Sequence, residues 1–500
     1  MQTHLLLEMA AEAIGDREGY TTVEGGLSYA EAFRRAKGGA NFLSRFEGDK
    51  VVFLGHNGPA FPLALYAAGL AGRPFVPLNY RLADADLRKL VARTAPSVLI
   101  ADGTMATRVH GVEGVRVVTR EAFEAACVDD DNCCAELPFV DQDIAILLFT
   151  SGTTGDPKAA VLRHGNLTSY VISTVEFMGA GEDETALVSV PPYHIAGIAA
   201  VLTGTYSGRR IAYLHSFAPD AWVQLAHAER VTHAMVVPTM LSRILDAMEL
   251  LKIELPHLRA VSYGGGRMPA AVIERAMQKL PNVDFVNAYG LTETSSTIAV
   301  LGPEDHRQAF ASPDEKVRAR LGSVGRPLPS LELEIRGPDG KTVLGPRESG
   351  EIYVRGEQVA GEYLHKKVLS DDGWFATNDA GWVDEDGYLF VEGRLDDVIV
   401  RGGENISPGE IEDVLRQHPS VVDVAVYGLP DDQWGEKVGC SIVCADPRPE
   451  TAELAQWVQT RLRSTKTPES WDFRAELPYN ETGKLLRRVL KVEMTKDIAA

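Results

Sequence analysis

A regular alternation of short apolar runs with helical patterns across residues 1–320 is the feature that most constrains the fold. The run Asp143–Phe149 is nearly all apolar, which is typical of a strand buried on both faces of a parallel sheet. The other runs predicted as strands are Val51–Leu54, Phe75–Leu78, Leu187–Val190, Ala234–Val237, Ala260–Tyr263 and Phe285–Ala288. Strand–helix alternation of this kind predicts an α/β core that binds ligands at the carboxyl ends of its strands.

The pattern changes at Leu321, where short strands separated by Gly, Pro and Asp predict a small β-rich subdomain, residues 321–395. After that, a strand, a helix at Pro408–Gln417, two further strands and a helix at Thr451–Arg463 predict a compact α+β unit. The expected architecture is therefore a large α/β N-terminal domain of parallel-rich sheets with helices, residues 1–395, followed by a small α+β C-terminal domain, residues 396–500.

The charge balance excludes some function classes. Lys plus Arg total 50 against 70 Asp plus Glu, a net charge of −20, which argues against a nucleic-acid or anionic-membrane binder. No apolar run approaches the ~18 residues of a membrane span, and the first residues lack the basic leader of a secretory signal. The five cysteines are sparse and without a CxxC pair, so we expect a soluble protein of the reducing cytoplasm.

The segment from Thr150 to Lys158 directly follows the predicted strand Asp143–Phe149 and is dense in Gly, Ser and Thr. Backbone N–H groups and hydroxyls of such a loop can wrap phosphate oxygens, and Lys158 adds positive charge. It is not a Walker loop, because Ala159 stands where that motif has Ser or Thr. Taken alone, the segment fits a solvated turn as well as a phosphate loop.

A second segment, Tyr289–Thr294, follows another predicted strand and combines an aromatic ring, a hydroxyl and a carboxylate. This set suits nucleobase stacking and a Mg²⁺ ligand beside phosphate oxygens. Further blocks follow in order: Thr377–Asp379, Gly393–Asp397, Gly402–Ile406 and Thr482–Lys484. In this order and at these separations, the blocks resemble the adenylate-forming superfamily, which includes acyl-CoA synthetases, peptide-synthetase adenylation domains and luciferases. The resemblance covers essentially the whole chain.

The resemblance implies a two-step reaction that uses ATP, Mg²⁺ and CoA. A carboxylate attacks the α-phosphate of ATP to give an acyl-adenylate and pyrophosphate, and a thiol then attacks the acyl carbon and releases AMP. Carboxylate and triphosphate repel each other, so such a site needs cationic and dipolar groups where negative charge develops. The resemblance also implies that the C-terminal domain is mobile and turns about Asp396 between the two steps.

Residue roles come from the same resemblance. Lys484, Glu293, Thr154 and His194 would be catalytic, with Thr154 and Glu293 near Mg²⁺ and His194 at the gate of the acyl pocket. The implied nucleotide and CoA ligands are Thr150, Ser151, Gly152, Thr153, Thr154, Gly155, Lys158, Gly264, Gly265, Gly266, Ala288, Tyr289, Gly290, Thr292, Asp379, Arg394, Gly403 and Trp434. The implied acid-binding residues are Tyr193, His194, Thr239, Tyr263, Gly265 and Gly290.

Several positions depart from the family pattern. Ala159 and Asn378 replace usual glycines, and Arg267 stands where many members have a small residue. These departures leave the acceptor open between the thiol of CoA and that of a carrier protein, and a single half-reaction is a further alternative. The acid, aliphatic, aromatic or polycyclic, is not specified by the sequence, and a homodimer is the expected assembly.

Overall fold

The computed structural model describes residues 1–22, 25–129, 143–150, 157–402, 404–431, 433–479 and 485–499. None of the helices in these ranges is both long enough and apolar enough to cross a lipid bilayer.

The first sheet carries most of the parallel strands expected from the apolar runs. Its central strands are parallel, and antiparallel strands close both edges. In spatial order they are Arg326–Pro327, Ser296–Leu301, Asp284–Leu291, Ala260–Gly264, His233–Val236, Thr185–Val188, Arg210–Tyr213, Glu18–Thr22 and Gly25–Ser28.

The second sheet contains the strand predicted at Asp143–Phe149, which runs from Ile144 to Thr150. It is parallel to one neighbour, Phe75–Pro77, but antiparallel to the other, Lys158–Arg163, so only one of its two neighbours is parallel as predicted. Local apolar patterning reports burial but not strand direction, which explains the difference. In spatial order the strands are Lys366–Lys367, Glu362–Tyr363, Lys158–Arg163, Ile144–Thr150, Phe75–Pro77, Val51–Leu54, Ser97–Ala101 and Val115–Thr119.

Two smaller sheets follow. The third is antiparallel and consists of Glu332–Arg336, Gly350–Arg355, Phe375–Val383 and Leu389–Arg394. The fourth lies beyond residue 396 and consists of Glu404–Ile406, Ile399–Arg401, Gly435–Cys444, Val421–Asp431 and Ser470–Phe473. These match the expected β-rich and α+β regions in kind.

The helices cover the sheets. Ala60–Leu70 is apolar on nearly every face and is almost entirely buried, whereas Tyr29–Ser44 begins at a Ser28 cap whose hydroxyl accepts from the Glu31 N–H. Ile195–Ser207 ends at Gly208, whose φ of 75° suits the left-handed position after a helix. The remaining helices are Leu5–Ile14, Asp84–Ala92, Gly103–Val109, Arg120–Val128, His164–Thr174, Pro219–Ala228, Pro238–Leu251, Ala270–Lys279, Pro303–Ala311, Glu315–Arg318, Pro408–Arg416, Thr451–Gln459 and Arg487–Ala499.

Each large sheet has a switch point in its strand order. In the second sheet, Val51–Leu54 lies between the two strands that follow it along the chain, Phe75–Pro77 on one side and Ser97–Ala101 on the other. In the first sheet, Thr185–Val188 is flanked in the same way by Arg210–Tyr213 and His233–Val236. Connections diverge at such points and leave a crevice at the carboxyl ends of the strands, where ligands bind in α/β folds.

Candidate active site

A cavity of about 300 Å³ lies where the switch points of the two large sheets face each other. The lining residues that follow strands of the second sheet are Asn57, Tyr80 and Arg81. The lining residues that follow strands of the first sheet are Ser189, Pro191, His215, Ser216, Phe217, Val237, Thr239, Met240 and Arg243. Tyr479, from the part of the chain beyond residue 396, also lines the cavity. Thr239 is thus the predicted acid-binding residue that lines this cavity.

Asn57 joins the two sheets at the cavity wall and was not singled out from the sequence. Its amide nitrogen donates to the carbonyls of Val190, at 3.0 Å, and Leu214, at 3.3 Å. These bonds orient the amide, and its Oδ1 is buried with no hydrogen-bond partner among the described residues. An unsatisfied acceptor in a cavity wall is costly unless a ligand or water donates to it.

Tyr193 and His194 precede the helix Ile195–Ser207 and lie behind the cavity wall. The Tyr193 ring packs edge-on against Tyr80, with centroids 5.4 Å apart, and lies 4.6 Å from the His194 ring. Burial, with a smaller contribution from the positive charge of Arg81, lowers the pKa of His194 to about 4. His194 is therefore a neutral imidazole near pH 7, and its buried Nε2 has no partner within the described ranges.

The glycine loop, residues 264–266, begins at the last residue of the strand Ala260–Gly264 and lies beside the end of the strand Asp284–Leu291. A Cβ on Gly264 would stand 2.2 Å from the Ala288 carbonyl oxygen, so only glycine permits this approach. A Cβ on Gly290 would stand 1.8 Å from the Ser296 oxygen for the same reason. Gly265 has a φ of 77° and faces Val237, which places the glycine loop next to the cavity.

Asp379 and Arg394 are paired across neighbouring strands of the third sheet, and Tyr289 reaches them from the first sheet. Arg394 Nη1 lies 3.1 Å from Asp379 Oδ1, and the Tyr289 hydroxyl donates to Asp379 Oδ2 at 2.6 Å. Burial and the negative charge of Asp379 raise the pKa of Tyr289 well above its usual value. The predicted aromatic, carboxylate and cationic groups therefore form one partly buried cluster beside the glycine loop, with Asp379 its buried member.

Glu293 is 9% exposed and is held from two sides. Its backbone carbonyl accepts from the N–H groups of Ala360 and Gly361, at 2.9 and 3.2 Å. Its carboxylate Oε1 accepts from the Tyr363 hydroxyl at 2.6 Å, and Lys158 Nζ lies 5.8 Å from the centre of the Tyr363 ring. Tyr363 thus connects two predicted site residues, although no sequence motif pointed to it.

This arrangement fits a Mg²⁺ ion held together with nucleotide phosphates. Such an ion needs only one or two protein oxygens and keeps phosphate and water ligands for the rest. Glu293 supplies one oriented carboxylate, and the described residues contain no cluster of three or more His, Cys, Asp or Glu able to hold a metal without phosphate.

Other predicted residues lie apart from the cavity wall. Tyr263 is fully buried in the core of the first sheet, where its hydroxyl forms a hydrogen bond with His306 Nε2 at 2.7 Å, and it is not among the lining residues of the cavity. Trp434 is 45% exposed and packs on Gly402 in the fourth sheet. Asp396 accepts from the Asn378 side chain at 3.3 Å, and Asn378 has a φ of 60°, which explains why glycine also suits that position.

The flanks of the predicted phosphate loop are paired, because Thr150 lies opposite Lys158 in the antiparallel ladder. Thr292 begins a short 3₁₀ turn that also contains Glu293. The predicted residues that lie outside the described ranges are Ser151, Gly152, Thr153, Thr154, Gly155, Gly403 and Lys484.

Comparison with known proteins agrees with this geometry. The profile of the AMP-binding enzyme family matches residues 7–364, and that of the AMP-binding enzyme C-terminal domain matches residues 410–484. The chain belongs to the AMP-binding enzyme family. A feruloyl-CoA synthase of an Amycolatopsis species is 37% identical over 96% of this chain and 95% of its own length. A 2-succinylbenzoate–CoA ligase of Bacillus licheniformis is 32% identical over 97% of this chain and 98% of its own length.

Solved structures of this AMP-binding enzyme's relatives share its whole architecture. The o-succinylbenzoate CoA synthetase MenE of Bacillus subtilis, in complex with the acyl-adenylate OSB-AMP, superposes with a TM-score of 0.83 at 28% identity and 97% coverage of both chains. ATP-bound MatB of Rhodopseudomonas palustris superposes with a TM-score of 0.87 at 27% identity over the full length of both. The expected fold class is therefore confirmed.

Proposed function

We propose that the acid activated by this enzyme is an aromatic carboxylic acid. The reaction is that of an AMP-forming acid–thiol ligase, in which ATP converts a carboxylate to an acyl-adenylate and the acyl group then passes to the thiol of CoA. Relatives named for ferulate, 2-succinylbenzoate and indoleacetate all act on acids that contain a ring. The observation that carries the proposal is the cavity, whose volume of about 300 Å³ suits a small ring and whose wall includes Tyr80, Phe217 and Met240.

The cavity wall also carries polar groups. Ser189, His215 and Arg243 line it together with the apolar side chains, so a polar substituent on the bound ring would find hydrogen-bond partners there. His194, neutral because its pKa is about 4, would lie beside the acyl group without adding charge there.

The nucleotide would lie along the glycine loop. Tyr289 would flank the adenine, and Asp379, already oriented by Tyr289 and Arg394, would accept hydrogen bonds from the ribose hydroxyls through its remaining lone pairs. Ala288, Gly290 and Thr292 would form the strand end beneath the nucleotide. Trp434 and Gly403 are proposed to contact CoA.

Negative charge develops where the carboxylate meets the α-phosphate. Glu293 would hold Mg²⁺ with Thr154, and Mg²⁺ would neutralise phosphate charge. Lys158 and residues 150–155 would bind the β- and γ-phosphates, while Lys484 would bridge the attacking carboxylate and the α-phosphate. Tyr363 orients Glu293 and is thus a positioning residue.

The two half-reactions would use different orientations of residues 1–395 and 396–500, with Asp396 as the hinge. Lys484 must leave before a thiol can approach the acyl carbon. Proline at the hinge restricts φ, so Asp396→Pro should spare adenylation and block thioester formation. Unchanged overall turnover in this variant would rule out the hinge.

The test is a panel of aromatic and aliphatic acids with Mg-ATP, with and without CoA, following pyrophosphate release and thioester mass together. We expect a CoA thioester with ring-containing acids. A preference for aliphatic acids would refute the aromatic substrate, and pyrophosphate without a CoA product would indicate a carrier-protein acceptor. Light scattering would test the proposed homodimer.

A further inference from the structure

An ion pair joins the glycine loop region to the C-terminal part of the chain. Arg267, the residue directly after the glycine loop, places Nη2 2.5 Å from Oδ2 of Asp413, which is 146 residues further along. Asp413 lies on the helix Pro408–Arg416, here named the contact helix. The Arg267 and Asp413 side chains are 39% and 28% exposed, so the pair is partly shielded from water.

The contact helix is shaped to accept this arginine. Gly409 lies against Arg267, and a Cβ there would stand 2.3 Å from Nη1 and 3.2 Å from Cζ. On the other side of the carboxylate, Arg416 Nη1 lies 3.9 Å from Asp413 Oδ1. Burial raises the pKa of Asp413 although Arg267 and Arg416 favour its charged form, so loss of Arg267 would leave a poorly solvated carboxylate.

The same arrangement brings Tyr479 to the cavity. Tyr479, five residues before Lys484 in the sequence, is part of the cavity wall with Thr239 and Arg243. Gly402 and Trp434, which precede and follow the contact helix, are not among the described residues of that wall. Because Lys484 is proposed to act in adenylation, an orientation with Tyr479 at the cavity favours that step over thioester formation.

We propose that the Arg267–Asp413 ion pair is a latch that holds the contact helix on the glycine loop region during adenylation and must open before thioester formation. The proposal rests on the two-step function proposed above. The residues do not touch the reacting atoms and act by positioning. A glycine next to the arginine and a second arginine behind the aspartate distinguish the pair from an incidental surface contact.

The latch has a quantitative signature. When two orientations exchange, the ratio of the two half-reaction rates follows the ratio of their populations. Ion pairs of this exposure contribute up to about 1 kcal/mol, which corresponds to about a fivefold change in that ratio. Opening the latch should therefore lower adenylation relative to thioester formation by about fivefold.

The experiment measures both half-reactions separately in the full-length enzyme. Acid-dependent ATP–pyrophosphate exchange reports adenylation, and conversion of a chemically prepared acyl-adenylate with CoA reports thioester formation. Arg267→Ala and Asp413→Ala should each lower the ratio about fivefold, and the double variant should lower it no further. Gly409→Ala should act like Arg267→Ala, because the added Cβ displaces the guanidinium.

Arg275→Ala is the matched control, since Arg275 is 34% exposed and pairs with Asp246 and Glu249 on the same part of the chain. Hydrogen exchange of residues 408–416 in nucleotide-free enzyme should be faster in Arg267→Ala and unchanged in Arg275→Ala. The latch would be refuted if the ratio of adenylation to thioester formation in Arg267→Ala equalled that of the control or rose above it. An effect of Arg267→Ala without one of Asp413→Ala would refute it as well. Absence of either half-reaction in the wild type would instead refute the proposed function.

Discussion

Replacing Tyr363 by phenylalanine tests the most specific contact of the proposed metal and phosphate site. The change removes one hydroxyl and keeps the ring that lies near Lys158. It also removes the 2.6 Å bond to Glu293 Oε1, while the Ala360 and Gly361 N–H groups still hold the Glu293 backbone. The carboxylate therefore stays in place but loses its fixed orientation.

The expected loss of activity follows from the strength of the hydrogen bond between Tyr363 and the Glu293 carboxylate. A hydrogen bond to a charged group contributes about 1.5–3 kcal/mol. Tyr363 is only half-buried, so water can replace part of the bond, and the lower value applies. About 1.5 kcal/mol corresponds to about a tenfold loss in kcat/KM for Mg-ATP.

The assay is steady-state pyrophosphate release at varied Mg-ATP and saturating acid. Tyr388→Phe is the matched control, because the Tyr388 hydroxyl donates to Asp305 Oδ1 at 2.5 Å, the same kind of bond to a different carboxylate. Both variants should lose comparable stability in urea unfolding, and only Tyr363→Phe should lose kcat/KM for Mg-ATP. Equal kcat/KM values in the two variants would refute the role of Tyr363.

Other changes test the remaining parts of the site. Lys484→Ala should lower adenylation by about 10²–10³ and spare thioester formation from preformed acyl-adenylate, and an equal loss in both assays would contradict separate roles. Gly290→Ala should destabilise the fold by about 3 kcal/mol or more in thermal unfolding, because its Cβ would meet the Ser296 oxygen at 1.8 Å. Gly165→Ala, where a Cβ meets nothing within 4 Å, should be neutral or slightly stabilising. The pKa of His194, about 4 when folded and 6.5 when unfolded, means that the unfolded state binds the extra proton. As the pH falls from 6.5 to 4, the free energy of unfolding of the wild type should therefore decrease by up to about 3 kcal/mol more than that of His194→Gln. Urea unfolding at a series of pH values would measure this difference.

Strand positions in the core could be predicted well from the sequence, because burial leaves a local signature. The strand Val51–Leu54 was predicted with its observed bounds, and the helix predicted at Pro408–Gln417 begins at Pro408 and ends one residue earlier than predicted. The strand at Asp143–Phe149 was placed within one residue at each end, yet its antiparallel neighbour was not foreseen. Side-chain burial is encoded in neighbouring residues, whereas strand pairing depends on segments far along the chain.

The sequence alone identified the family and predicted the roles of the site residues, because phosphate loops, ribose-binding carboxylates and strand-end glycines need particular residue types at short spacings. Only the tertiary structure decided which residues complete these groups. Tyr363 is 70 residues from Glu293, Asn57 is 133 residues from Val190, and Arg267 is 146 residues from Asp413. Such pairs have no local pattern, since their contacts arise from the order in which strands assemble and from the packing of one sheet against another.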